Sequence, residues 1–387
     1  MARHCAAIFC IINSGLNAIK TNMATTTRLI SLDALRGFTI IAMIVVNDPG
    51  SWSHVYAPLL HAPWHGVTPT DYIFPFFLFI VGVSIVLAYQ KRLDANVPKG
   101  DMVKKILWRS LKIYAVGLFL WLWPQFNFGE IRWAGVLQRI ALVFLPCALL
   151  FLYTDWKTWL KLGIATLLAY WVIVAYIPVP GIGAPDLSGP EKNWAHYLDS
   201  LLLPGVMWQK TWDPEGILST FPSIVTGITG MLAGRLILDV KDDYRRLVKL
   251  FFWGFAMLVL GEVWSWFFPL NKNLWTSSYV LHTSGLAFMA LAACLLVVDM
   301  KGYTRWTKPG LIFGANAITA YVLAGMLTAV FYTGYGGQPG LNELFVNGLS
   351  SAGIPAKLAS LLYALLYVGV VFLPVYWLYK KRIFVKL

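Results

Sequence analysis

Residues 71–89 read DYIFPFFLFIVGVSIVLAY, an aspartate followed by eighteen residues without a formal charge. An apolar run of that length crosses a bilayer as a helix, because only a helix satisfies its own backbone where no water is present. Similar windows recur along the chain. Ten spans are expected, at roughly 32–48, 71–89, 104–123, 134–152, 159–178, 216–237, 248–268, 276–299, 309–332 and 358–378. The fold class is therefore all-α, a polytopic integral membrane protein. Of 387 residues, 58% are hydrophobic and only 13% charged, about half the charge of a soluble chain. The net charge of +13 would suggest nucleic acid in a soluble protein. Here it follows from the Lys and Arg that collect in cytoplasmic loops, and no nucleic-acid partner is expected.

Those basic residues set an orientation. Connections after even-numbered spans hold Lys91, Arg92, Lys99, Lys157, Lys241, Arg245, Arg246, Lys301, Arg305 and Lys308, and the tail adds Lys380, Lys381, Arg382 and Lys386. Connections after odd-numbered spans hold only Arg132, Lys192, Lys210, Lys272 and Lys357, although they are longer in total. Both termini are expected in the cytoplasm. Residues 1–27 form an extension with a short apolar run but no convincing cleavage site, so it reads as a disordered tail or a misplaced start, with Met23 as the natural one. Residues 28–387 are expected to form one transmembrane domain. Cys147 and Cys294 fall in apolar spans, Cys5 and Cys10 fall in the extension, and no CxxC spacing occurs, so neither a disulfide framework nor thiolate zinc is expected.

Immediately before the opening stretch lies LLHAPWHGVTPTD, residues 59–71, with His61 and His65 four apart. Three readings are open. Imidazoles at this spacing can bind a metal on a helix, but Pro63 and Gly66 oppose a regular helix and no third ligand is evident. The loop could sense pH. Or a neutral imidazole serves as general base or acyl-accepting nucleophile. Around it, once oriented, gather polar groups of the outer half: Asn47, Asp71, Glu130, Arg132, Gln138, Arg139, Glu215, Glu262, Asn271 and Asn273. Ionisable groups beside a bilayer are costly and usually functional or paired. Arg139 is expected to be buried, with Glu130 or Glu262 as its partner. A second, basic group lies toward the other side: Arg36, Lys104, Lys105, Arg109, Lys112 and Arg235. Each of these could also snorkel to headgroups, and Asp33 with Arg36 has the spacing of an ordinary helix-surface pair.

The blocks SLDALRGFTIIAMIVVND, HAPWHGVTPTDYIFPFFLFIVGVSI, GVLQRIAL, LSTFPSIVTGITGMLAGRLI, NKNLWTSSYVL and FGANAITAYV resemble the heparan-α-glucosaminide N-acetyltransferase family, which includes a lysosomal enzyme and bacterial relatives. Their order and spacing carry the resemblance from about Leu29 to the last span. It implies an acetyl-CoA-dependent acyltransferase of the bacterial cytoplasmic membrane. Acetyl-CoA would enter from the cytoplasmic side and the amine of a glucosamine-type sugar would be acetylated on the other; membrane lipids and a homodimer partner are also implied. The family's active-site histidine falls on His61, its asparagine on Asn47 and its aspartate on Asp71; at His65 the lysosomal enzyme has asparagine. With that chemistry, Arg36, Arg109, Lys112, Gln138 and Arg139 become candidates for holding CoA. Glu215, Glu262, Asn271 and Trp64 become candidates for the sugar, and no metal is called for. Two other functions remain open. One is a permease for sugars or peptidoglycan fragments, which the absence of an internal repeat argues against. The other is an O-acyltransferase of a surface polysaccharide.

Overall fold

The computed structural model describes residues 29–334 and 336–385. The N-terminal extension, with Cys5 and Cys10, lies outside the described residues. The long helices are α1 (Ile30–Asn47), α2 (Ile73–Asp94), α3 (Lys99–Leu122), α4 (Val136–Tyr153), α5 (Trp156–Tyr176), α7 (Ile217–Asp239), α8 (Asp243–Ser265), α9 (Ser277–Cys294) and α13 (Ala356–Lys380). Shorter ones are α6 (Trp194–Leu202), α10 (Lys308–Ala315), α11 (Ala317–Phe331) and α12 (Leu341–Ser351). Among the described residues there is no sheet; two isolated bridges join Arg132 to Gly205 and Val179 to Gly183.

Eight of these helices are long and apolar enough to cross a membrane. Two of the ten expected spans depart from that form. The ninth is broken: α10 and α11 meet at 74° around Asn316. Asn316 Nδ2 donates to the Ile383 carbonyl (3.0 Å) and Oδ1 accepts from Val385 N–H (2.9 Å), so the C-terminal segment holds the side chain that stands at the break. The third, α3, carries Lys99, Asp101, Lys104, Lys105, Arg109 and Lys112 between its start and Lys112. It buries the stripe Met102, Ile106, Ser110, Ile113 and Gly117, and that spacing is one face of a 3.6-residue helix. Its basic residues are thereby turned off the core. By contrast α8 exposes Val248, Phe252, Trp253, Phe255, Val259 and Leu260. A soluble protein does not leave such a strip bare, whereas a hydrocarbon surround accepts it.

In lipid the apolar helix faces gain little from meeting one another, so close van der Waals packing must hold the bundle. Small residues sit where helices cross. On α2 and α7, a Cβ at Gly82 would run into the Gly227 carbonyl, and a Cβ at Gly230 into the Phe79 carbonyl. The same occurs between Gly37 of α1 and Gly310 of α10, and between Gly285 of α9 and Gly254 of α8.

Connections that follow odd-numbered spans come together at one end of the bundle. Gly66 N–H donates to the Leu270 carbonyl (2.8 Å), and Gly50 N–H to that of Ser360 (3.2 Å). Trp64 Nε1 donates to the Leu187 carbonyl (2.7 Å), and the Tyr332 hydroxyl to that of Pro49 (2.9 Å). Near the first turn of α1, the Ile30 and Ser31 amides donate to Asp299, just beyond α9. The His61 loop thus lies with other odd connections at one end of the bundle.

Replacing Gly82 or Gly230 by Leu should force α2 and α7 apart, at the roughly 1–3 kcal/mol typical of overpacking or more. Thermal unfolding in detergent should show a lowered midpoint for either, with little change for Gly348→Ala, whose Cβ would meet open space. Unaltered melting of both leucine variants would show that the close crossing does not hold the bundle.

Candidate active site

The loop between α1 and α2 is shaped by its own short-range chemistry. Pro58, Pro63 and Pro69 restrict the backbone, and Gly66 takes φ +91°, a conformation that disfavours other residues. The loop ends in a single 3₁₀ turn, Pro69–Tyr72, closed by a capping box. Thr68 is its first half, and the Thr68 amide donates to Asp71 Oδ2 (2.9 Å).

Asp71 does more than cap. Oδ2 also accepts from the Ala62 amide (3.0 Å) and the Thr68 hydroxyl (3.1 Å). Oδ1 lies 2.6 Å from His61 Nδ1. A carboxylate only accepts, so the proton of this bond sits on Nδ1 and the Nε2 lone pair is free to act. The Asp71 side chain is 1% exposed and that of His61 50%. A buried acid thus orients a base that solvent or a substrate can reach. The Tyr279 hydroxyl of α9 donates to the Asp71 backbone carbonyl. His61 and His65 are not on one helix, and among the described residues no group of three or more His, Cys, Asp or Glu is placed to share a metal ion.

Lys272, in the connection between α8 and α9, completes the cluster. Its Nζ is 3.1 Å from both His61 ring nitrogens and 4.0 Å from Asp71 Oδ1. Burial lowers the pKa of its ammonium below the ordinary lysine value, opposed by the negative charges of Glu215 and Asp71. The sequence reading counted Lys272 only as one of few basic residues on this side. That scarcity, beside Asn271, was the available signal.

The remaining candidates fall around this pair. Asn47 is the last residue of α1 and exposed, and among the described residues no hydrogen bond joins it to His61 or Asp71. Trp64 stands edge-on to Trp212 at 5.5 Å. Asn271 is buried and fixes its own turn, with Oδ1 accepting from Leu274 N–H (2.9 Å) and Nδ2 3.4 Å from His65 Nδ1. Glu262 is exposed and faces His282 Nδ1 at 3.3 Å, while His282 Nε2 lies 2.8 Å from the Tyr72 hydroxyl.

Glu215 is tied into a buried ionic knot. Arg132 meets both Asp213 oxygens at 2.7 Å and Glu215 Oε2 at 2.8 Å. Burial works against the Asp213 charge, but Arg132 and the amides of Trp208 and Glu215 overcome it and hold the carboxyl below its usual range. Asp199 accepts from the Asp213 and Ile217 amides, yet burial pushes it up to about 6.

Arg139 is 1% exposed, as expected, but its expected carboxylate partner is wrong. It donates to the Gly216 carbonyl (3.0 Å) and the Ser219 hydroxyl (2.6 Å), and lies over the Trp275 ring at 5.3 Å. Glu130 is exposed and Glu262 faces His282. Charge compensation comes from Glu215, Asp213 and Asp199 without direct contact. Its Nε and Nη1 are buried without a protein partner. Gln138 is buried beside it.

The basic group is apart from His61. Arg36 pairs with Asp33 (2.9 Å) and donates to Ser84 of α2 (2.6 Å), the ordinary helix-surface pair that its spacing allowed. Arg109 is exposed and lies over the Phe144 ring at 4.9 Å, and Lys112 is half-buried one turn further along α3.

Residues 28–236 match the family described as "Heparan-alpha-glucosaminide N-acetyltransferase, catalytic". The heparan-alpha-glucosaminide N-acetyltransferase of Mus musculus is 30% identical, across 78% of this chain and 54% of the relative. That of Homo sapiens is 32% identical, across 77% of this chain and 53% of the relative. The chain spans about half the length of the curated relatives it matches. The family match takes in His61, Asp71 and Arg139 and ends before Lys272.

Two substitutions probe the electrostatics. Arg132→Met strands Asp213 and Glu215, and losing one partner of a buried ion pair costs about 3–5 kcal/mol; detergent melting should fall accordingly, and an unchanged midpoint would show that the knot is dispensable. Asp48, buried just past α1, is pushed up to about 7 by burial. Its folded state therefore holds a proton that the unfolded carboxyl releases near 4, so this group's contribution to stability falls as pH rises toward 7 and stays low above it. Asp48→Asn should raise the melting midpoint at pH 8 more than at pH 5. An equal effect at both would refute that assignment.

Proposed function

The chain belongs to the heparan-alpha-glucosaminide N-acetyltransferase family, and on that premise we propose that it is a transmembrane acetyltransferase. It moves an acetyl group from acetyl-CoA to the amine of a glucosamine-type sugar. The observation that carries this reading is the His61–Asp71 pair, with Nδ1 occupied by a buried carboxylate at 2.6 Å and Nε2 presented from a half-exposed ring. Acyl transfer to nitrogen needs a base of this kind, since the attacking amine must lose a proton as the carbon–nitrogen bond forms.

In the direct route, His61 Nε2 takes that proton while the amine attacks the thioester carbonyl. The carbon–sulfur bond breaks and the proton passes to the departing thiolate. In the two-step route Nε2 attacks the carbonyl first and the carbon–sulfur bond breaks to release the thiolate; the amine then attacks the acetyl-imidazole, and the bond from the ring nitrogen to the acetyl carbon breaks as the amide forms. In both, Asp71 holds the tautomer and stabilises the ring cation. Asn47 donates to the thioester oxygen once the substrate draws it in.

The ends of the bundle divide the donor between them. Arg109 and Lys112 on α3, with Arg36 on α1, take the phosphates of CoA. From Arg36 to Asn47 is eleven residues of one helix, about 16 Å of rise. An apolar gap lined by Ile40, Met43, Phe77, Ile140, Ile318 and Tyr321 lies along that course, a seam that the pantetheine arm would widen on entering. Arg139, with two buried N–H groups unmatched by protein, donates to the arm's amide carbonyls, with Gln138 beside it. Glu215, Glu262, Asn271 and Trp64 border the sugar subsite. The nucleotide end faces the cytoplasm, both termini are cytoplasmic, the membrane is the bacterial inner one, and the working unit is a homodimer.

The test is transfer of radiolabelled acetyl from acetyl-CoA to glucosamine by protein purified in detergent. His61→Ala should lose about 10²–10⁴-fold or more in turnover, still binding acetyl-CoA, while His65→Asn at equal expression retains substantial activity. Near-normal turnover of His61→Ala would remove His61 from the mechanism. Uptake of unmodified sugar into vesicles without any acetylation would favour the permease, and acetylation confined to hydroxyls the O-acyltransferase.

A further inference from the structure

Within that acetyltransferase reading, we infer that Lys272 is a third catalytic residue, whose ammonium rests against the His61 ring in the resting site and moves to the thioester oxygen when the acceptor amine enters. The inference rests first on position. Nζ stands 3.1 Å from both ring nitrogens, so it lies over the face of the imidazole, equally close to Nδ1 and Nε2. It is 4.0 Å from Asp71 Oδ1 and 17% exposed.

The backbone beneath it is held rigidly. Asn271 N–H donates to Thr276 Oγ1 (3.1 Å), Thr276 Oγ1 donates to the Pro269 carbonyl (2.8 Å), and Leu274 N–H donates to Asn271 Oδ1 (2.9 Å). The connection is docked on the His61 loop by the Gly66–Leu270 hydrogen bond. A fixed backbone with a flexible four-carbon stem lets the ammonium move a few ångströms without moving the loop.

The chemistry needs such a group. When the amine attacks, the thioester oxygen becomes an oxyanion, and a donor aimed at that charge stabilises the transition state. The acceptor enters as an ammonium, yields one proton to solvent, and gives its second to Nε2 as the carbon–nitrogen bond forms. The carbon–sulfur bond breaks, Nε2 returns that proton to sulfur, and Lys272 keeps its own throughout. Meanwhile its charge beside Nε2 opposes an idle proton on the ring, which would leave the base spent. Groups facing this centre are Asp71 from the loop and Lys272 from the α8–α9 connection. Glu215 and Arg139 act on Lys272, and Asp71 acts in turn on Tyr72 and Tyr279.

Two readouts test this. Diethyl pyrocarbonate carbethoxylates unprotonated imidazole, so the pH midpoint of His61 modification, read by peptide mass spectrometry, reports the charge beside the ring without requiring turnover. In Lys272→Met and Lys272→Gln the midpoint should move up by about one pH unit, the size expected for losing a neighbouring charge, whereas Lys272→Arg should keep it near wild type. Acetyl transfer to glucosamine should fall about 10²–10³-fold in kcat for the neutral variants with little change in the KM for acetyl-CoA, as for loss of one oxyanion donor. A midpoint unmoved in both neutral variants, or wild-type kcat in either, overturns the role of Lys272. A wild-type protein that shows the midpoint difference but transfers no acetyl group instead overturns the acetyltransferase reading.

Discussion

A buried carboxylate at the end of an apolar helix is among the most demanding groups a membrane protein can carry, because each unsatisfied oxygen costs free energy that no water repays. Asp71 meets that demand with a ring nitrogen, two amides and a hydroxyl. Satisfying it determines the loop. The Ala62 and Thr68 amides reach the same oxygen only if the chain folds back between them, which places His61 over the start of α2. The residue's own carbonyl then receives Tyr279 from α9. The same residue closes the 3₁₀ turn that leads into α2, orients the base and ties the first connection to a helix two hundred residues away. Asp71→Asn would fit sterically yet put a donor where several donors converge.

Close helix crossings make that placement possible. With α2 and α7 in backbone contact at Gly82 and Gly230, the start of α7 is brought beside α4, where the Gly216 carbonyl and Ser219 meet Arg139. Gly216 is itself required there, since a Cβ would strike the Asp199 carboxylate. Packing between helices and polar order at their ends are thus one arrangement. A shift of one crossing by a few ångströms would separate Arg139 from its acceptors and leave a buried cation bare.

What the sequence made legible follows the range of the interaction that decides each feature. The apolar runs of α1, α2, α4, α5, α7, α8, α9 and α13 are local, and hydropathy located them to within a few residues. The break at Asn316 was not visible, because an apolar window runs across it unchanged and the partner that holds its side chain lies sixty-seven residues on. His61 and Asp71, ten apart in one loop, could be named as candidates from the loop itself, and the family resemblance aligned both. Lys272 could not, since 211 residues separate it from the ring it touches. The partner of Arg139 was misjudged for another reason: a backbone carbonyl has no residue type, so a search among carboxylates passes over it.

Charges of both signs gather at this end, where Arg132, Arg139 and Lys272 face Asp71, Asp199, Asp213 and Glu215. Burial pushes Asp199 up to about 6, so it still carries its charge at neutral pH. Acyl transfer passes through a separated pair, imidazolium and oxyanion, and each end of that pair needs its own partner. Asp71, 2.6 Å from Nδ1, serves the imidazolium, and in the proposed mechanism Lys272, 3.1 Å from the ring, serves the oxyanion. Oriented charges at short range, rather than the sum of the distant ones, are therefore what this end of the bundle supplies to the reaction.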